Sequence, residues 1–144
     1  MRRIIGLCVM VLILSGCSQK PAFEELADGV CSSEQAQLVQ AHISSQIDAI
    51  AKKDWKLAYS FASPGFRSGV GIEQFTFIIG TQYAMLVDNE GYEFSACTIA
   101  NEKITQRIAV TSNAEITNLT YILSVAKEVL GVDSATASGA KLEA

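Results

Sequence analysis

Between Asp88 and Gly91 (Asp-Asn-Glu-Gly) the spacing of the apolar residues changes. Upstream they recur every three or four positions, as in Ala36, Val39, Ile43, Ile47 and Ile50, which places them on one stripe of a helix. Downstream they alternate, Tyr92, Phe94 and Ala96 against Glu93, Ser95 and Cys97, the period of a half-buried strand. Helices come first and strands follow. Each element has one apolar face to bury, so the pattern predicts an α+β domain in which helices cover one face of a curved, mainly antiparallel sheet.

The helical half resolves into three predicted helices. Ser32 and Gln35 have capping-box spacing before the first stripe. Lys52 and Lys53 suit the negative end of its dipole. Asp54 can cap a short second helix in which Trp55, Ala58, Tyr59 and Ala62 share a face, and Pro64-Gly65 is expected to end it. A third spans Ile72 to Gly80 or slightly beyond, after a loop holding Gly69 and Gly71. About four strands follow. Their cores are Tyr92–Cys97, Ile104–Val110, Leu119–Val125 and, after a turn at Ala126-Lys127, Val129–Val132. With 144 residues, 49% of them apolar, one domain over 32–134 is expected, and 135–144, small and polar, reads as a flexible tail.

The first sixteen residues have another logic. Arg2 and Arg3 precede Ile4–Leu14, an uncharged apolar run of eleven residues. At about 1.5 Å per residue that run falls well short of a hydrocarbon core of about 30 Å, so it reads as the apolar region of a signal peptide over 1–16. Leu14-Ser15-Gly16-Cys17 resembles the lipobox of bacterial lipoproteins, where small residues precede a cysteine whose sulfur takes a diacylglycerol. The resemblance implies a mature chain that begins at a lipidated Cys17, carries more than one acyl chain and is held on the outer face of the cytoplasmic membrane or in the outer membrane. Residues 17–31 are then lipidated cysteine plus tether, with Phe23, Leu26 and Val30 apolar enough for a short helical turn to dock on the domain.

Without Arg2 and Arg3 the formal charge moves from −4 to −6. An acidic chain with no basic cluster does not suit nucleic acid. One histidine and no Cys/His cluster point to no metal, and no motif asks for a cofactor. Of the four cysteines, Cys8 leaves with the signal peptide and Cys17 takes the lipid. Cys31 and Cys97 remain as an even pair in an oxidising compartment. They form either a disulfide or two buried thiols; the disulfide is the reading adopted.

Residues 46–89 carry a second resemblance. Gln46-Ile47-Asp48-Ala49, the aromatic-rich run Ala58-Tyr59-Ser60-Phe61-Ala62-Ser63-Pro64, and Gly71 before a helix with Phe75 resemble the bacterial family called domain of unknown function 4864. In this chain Lys127–Val132 stands where members often have Trp-Arg-x-x-Gly. That family is similar to the nuclear transport factor 2-like, or cystatin-like, superfamily, which implies a cone of helices on a bent sheet. A homodimer through the outer sheet face is common there. The superfamily holds isomerases, dehydratases and non-catalytic modules alike, so the fold transfers no activity.

A cone open at one end suits a small apolar ligand. Trp55, Tyr59, Tyr83, Gln106 and Tyr121 are the candidate lining, with Gln106 in register with Ile104 and Ile108 and so directed inward. Each has a plainer reading, as core aromatic or, for Gln106, as a hydrogen-bonded neighbour of the sheet. An isomerase-type reaction would need a carboxylate base in an apolar cavity. Asp48, Asp54, Glu93 and Glu102 are the candidates, and none is placed inside by pattern; Asp54 reads as a cap. His42 has no nucleophile or acid beside it in sequence, Asn118-Leu119-Thr120 reads as a chance sequon, and Ser63-Pro64-Gly65 as a structural turn. The expected function is a membrane-anchored binding or interaction module for a small apolar ligand or an envelope protein. The alternatives are an isomerase or dehydratase of the same fold, or a protein acting through a partner in envelope assembly or toxin immunity.

Overall fold

The computed structural model describes residues 20–138. The expected signal peptide and Cys17 lie outside the described residues. The order is β1 (Gly29–Val30), α1 (Ser33–Ala51), α2 (Trp55–Ser60), α3 (Pro64–Gly69), α4 (Ile72–Gln82), α5 (Ala84–Val87), β2 (Gly91–Ala100), β3 (Lys103–Ser112), β4 (Glu115–Ala126) and β5 (Val129–Ser138). The sheet is open and antiparallel, in sequential order β1-β2-β3-β4-β5. The fold is therefore α+β as expected, with five helices rather than three and five strands rather than about four among the described residues.

α1 forms where the stripe and its caps agree. Ser32 Oγ accepts from Gln35 N while Gln35 Oε1 accepts from Ser32 N, which closes the capping box. At the other end Lys53 N donates to Ile50 O and Asp54 N to Ala49 O, with Lys53 at φ +56°. That is the double bond of a Schellman ending, made with lysine where glycine is usual. The stripe Val39, Ile43, Ile47 and Ile50 is buried against the inner sheet face, whose core is Ile99, Ile104, Ile108, Val110, Leu119, Tyr121 and Leu123.

Pro64-Gly65 does not end a helix; it starts one. Ser63 Oγ accepts from Phe66 N, and Pro64 occupies the first helical position, where its missing N–H costs nothing. A serine cap followed by proline is a start signal, and here it prevails over the stop that Pro-Gly signals after α2. Between α2 and α3 the chain runs along the edge of β5: Val132 N donates to Phe61 O, and Ser63 N to Val132 O. The approach is so close that a Cβ on Gly131 would lie 2.5 Å from Ser63 Cα, so glycine is required there. α5 is an additional helix that no pattern announces: four residues give no period, yet Leu86 is buried.

The hairpins β2–β3, β3–β4 and β4–β5 turn on two residues each: Asn101-Glu102, Asn113-Ala114 and Lys127-Glu128. All six have φ between +49° and +64°, the left-handed pair that matches strand twist in two-residue hairpins. The last turn thus lies one residue beyond the expected Ala126-Lys127.

Strand phase breaks twice. Ser95 and Ala96 of β2 together face Arg107 of β3, so Cys97, which strict alternation sends outward with Glu93, is buried instead, and Ala96 is exposed. Cys97 then meets Cys31, and the two are joined in a disulfide 66 residues apart, worth about 4 kcal/mol by the chain-entropy account. In β5, Asp133 is the extra residue against β4. β5 continues to Ser138, so the tail expected from 135 is strand over 135–138; residues 139–144 lie outside the described residues.

The tether expected over 17–31 is, from Lys20 onward, part of the domain. β1 pairs with β2, Phe23 and Leu26 pack on the core, and Gln35 Nε2 donates to Ala22 O. The segment makes a turn closed by Glu24 N to Pro21 O rather than a helical turn, and Val30, expected to dock, is 83% exposed on β1.

Candidate functional site

A cavity of about 150 Å³ opens between the helices and the β4–β5 half of the sheet. α1 gives it Gln46 and Ile50; α4 gives Phe75, Ile78 and Ile79; Tyr83 and Leu86 close one side; Tyr121, Val132, Ser134 and Ala135 form the sheet wall. These residues converge because the α1 stripe turns one edge towards α4 and because the Asp133 bulge sets Ala135 opposite Tyr121. Phe66 enters from α3, held edge-on to Phe75 at 6.2 Å between ring centroids.

Two of the polar side chains in the lining, Tyr83 and Gln46, donate to backbone carbonyls. Tyr83 Oη donates to Ala135 O at 2.6 Å, and Gln46 Nε2 to Ala58 O at 3.2 Å. Tyr121 is fully buried, and that burial pushes its phenol well above the ordinary range, with smaller contributions from Tyr83 and Tyr92, so it stays protonated. The lining contains no Asp, Glu, His, Cys, Lys or Arg. An apolar void of this size, about 150 Å³, accepts a molecule the size of benzene. Drug-sized ligands need roughly 300–1,000 Å³. The chemistry on offer is therefore shape and dispersion, with one or two hydroxyls at the margin.

Of the five residues singled out for a pocket, the structure brings two to this cavity, Tyr83 and Tyr121. Trp55 packs on the edge of the core from α2. Tyr59 bonds Val70 O at 2.7 Å and Arg67 O at 3.2 Å, tying α2 to the end of α3. Gln106 is directed inward and fully buried, but its Nε2 serves the β2 bulge, lying 2.8 Å from Arg107 O, 3.2 Å from Ser95 O and 3.3 Å from Ala96 O. Its Oε1 has no hydrogen-bond partner among the described residues. Gln46 was missed, although its spacing of three from Ile43 and four from Ile50 puts it on the apolar stripe.

The carboxylates stand elsewhere. Asp54 caps α2 through Leu57 N, as read. Asp48 accepts from Tyr92 Oη at 3.0 Å on the exposed side of α1. Glu93 is on the outer sheet face and Glu102 in the first hairpin turn, both exposed. Asp133 is held by Lys103 Nζ at 2.7 Å and Ser124 Oγ at 2.8 Å. Burial alone would raise its carboxyl, but hydrogen bonds from Lys103, Ser63 and Ser124 outweigh it and hold the group below its ordinary value. Asn118 is exposed in the middle of β4 and Ser63 is the buried cap of α3. Among the described residues no group of three or more His, Cys, Asp and Glu is placed to hold a metal ion, and no helix is long and apolar enough to cross a membrane.

A second apolar surface lies on the other side of α1. Leu38, Ala41 and His42 of α1, Phe61, Val129 and Leu130 border an open groove together with Pro21, Ala22 and Phe23. Burial lowers the His42 imidazole below its ordinary value, against a smaller opposing effect of the Phe61 carbonyl, so the ring is neutral at pH 7. Its Nε2 is 2.9 Å from Phe61 O and its ring stands edge-on to Phe61.

The family model described as Domain of unknown function (DUF4864) matches residues 32–134, from the α1 cap to the β5 bulge. No curated protein and no solved structure matched the chain. The match takes in α1 to α5 and both bulges, and the chain belongs to that family.

Proposed function

We propose, for a member of a family whose description assigns no activity, a lipid-anchored envelope protein whose domain binds a small apolar group without transforming it. The observation that carries this reading is the cavity between α1, α4 and β5: mostly apolar, about 150 Å³, and with no Asp, Glu, His, Cys, Lys or Arg in its lining. An isomerase-type site would place a carboxylate there with a pKa raised by burial. The anchor half rests on Leu14-Ser15-Gly16-Cys17 after the short apolar run. The layering of helices on one face of an open sheet with two bulges, each of which bends its strand, fits a cone of the nuclear transport factor 2-like kind.

The test is a titration of residues 18–144, with isotope-labelled methyl groups, against benzene and a series of linear alcohols. Saturable shifts are expected at Ile50, Ile79 and Leu86, with a cut-off as chain length outgrows the cavity. Ala135→Leu, which fills the cavity from β5, should abolish them. Shifts that rise linearly to millimolar ligand, or that ignore Ala135→Leu, would remove the ligand half of the reading. For the anchor half, Cys17→Ala should move the chain out of the membrane fraction.

A further inference from the structure

We infer that the groove bordered by Leu38, Phe61, Val129 and residues 21–23 rests on the phospholipid bilayer, so that the domain lies on the membrane in one orientation rather than swinging on a tether. The inference rests on the lipid anchor proposed at Cys17 and adds what the fold does with it. Three residue steps separate Cys17 from Lys20, and from Pro21 onward the chain is a wall of the groove. Fully extended, those steps span about 11 Å. The polar layer of a bilayer is itself about 5–8 Å thick on each side. A domain docked from Lys20 therefore has Lys20 and Pro21 at the headgroups, and the groove beside them has no room to turn away.

What the groove presents suits that position. Val129, at the tip of the β4–β5 hairpin, is 67% exposed and Leu38 is 43% exposed, with Phe23, Phe61 and Leu130 partly covered behind them. Charge does not supply the attraction: Glu24, Glu25 and Glu128 outnumber Lys20 and Lys127 along this border, and Lys20 is 3.7 Å from Glu25. Contact is thus apolar and enforced by proximity, and it needs no anionic lipid. The segment is fixed in this place by the β1–β2 pairing and by the Cys31–Cys97 disulfide, which hold the leader to three residues where fifteen were expected.

The experiment uses the full chain, processed and lipidated in a bacterial host and reconstituted in vesicles of phosphatidylethanolamine and phosphatidylcholine. Trp55 is the one tryptophan, so Trp55→Phe gives a silent background. Val129→Trp, and separately Leu38→Trp, report from the groove. Ile116→Trp reports from an exposed site ten residues away along β4, about 33 Å. Lipids brominated near the glycerol should quench both groove probes roughly twofold, the depth expected of an interfacial apolar face, and leave Ile116→Trp unchanged. A Gly/Ser spacer of roughly 20 residues between Gln19 and Lys20 should remove most of that quenching.

Each other outcome overturns the inference. A chain that floats with vesicles but has unquenched groove probes keeps its anchor and loses its orientation. Groove probes that shift to the blue without bromine quenching are covered by a second copy. Quenching that survives the spacer means the short leader does not place the face. A chain that does not float has no anchor, and both readings fall together.

Discussion

β2 and β5 each carry one residue more than the strand beside them, and the two bulges are held by opposite chemistry. The β2 bulge is held from inside. Gln106, fully buried, offers two N–H groups to three carbonyls, at Ser95, Ala96 and Arg107. The β5 bulge is held from outside. Its extra residue, Asp133, points its carboxylate to Lys103 and Ser124, and Lys103 is half exposed. The comparison shows that a phase break in a sheet needs a polar partner on whichever side its freed backbone or side chain falls. In the dry interior the partner is a neutral amide, and at the wet edge an ion pair serves. The inner staple should therefore be costly to lose and indifferent to salt, and the outer one cheap and titratable.

The largest expected effect is at the inner bulge. Gln106→Leu keeps the volume but leaves the bulge carbonyls without a donor, and should destabilise the domain by about 2–4 kcal/mol in urea unfolding. Gln106→Glu sharpens the point. A carboxyl buried against carbonyls is favoured only when protonated, so its folded pKa lies above the unfolded value of about 4.3. This variant should be most stable below about pH 4 and lose stability as pH rises through the raised folded value.

Asp133→Asn should cost less, about 1–2 kcal/mol at pH 7, because one partner is solvated. Here the folded carboxyl pKa is depressed, so the wild-type advantage is present above the unfolded value of about 3.9 and disappears as pH falls below it through the folded value. The two acid limbs should slope in opposite directions. If Gln106→Leu costs less than Asp133→Asn, the distinction between a dry and a wet staple fails.

The smallest effect is at a turn with no staple. Ala114 sits at φ +62° in the Asn113-Ala114 hairpin, a conformation glycine reaches without strain. Ala114→Gly should stabilise by about 0.5 kcal/mol, the relief of left-handed strain less the extra unfolded-state freedom of glycine. A loss in the same unfolding assay would mean that neighbouring packing, not backbone strain, dominates that turn.

Much of the framework was legible because its signals are local. The α1 stripe and capping box, the Asp54 cap, the four long strands and the pairing of Cys31 with Cys97 follow from spacing and from counting. The misses were local signals of two kinds. Ser63-Pro64 announces a helix start as well as a stop, and α5 is too short to have a period. The cavity was half legible: Tyr83 and Tyr121 lie on readable faces, whereas Phe66 and Ala135 reach it only through the unread α3 and the β5 bulge.

By itself the sequence determined the class of the domain, the order of its elements and the chemistry of its caps, because periodicity and capping act within a few residues. The tertiary structure alone decided three things. It turned Cys97 inward through the β2 bulge, it left a small void between α1, α4 and β5, and it made most of an expected tether into a docked segment. Each of these depends on which strand or helix stands opposite, and a bulge shifts every side chain beyond it by one place. A phase shift of that kind is set by the partner across the sheet, and no window of neighbouring residues contains it.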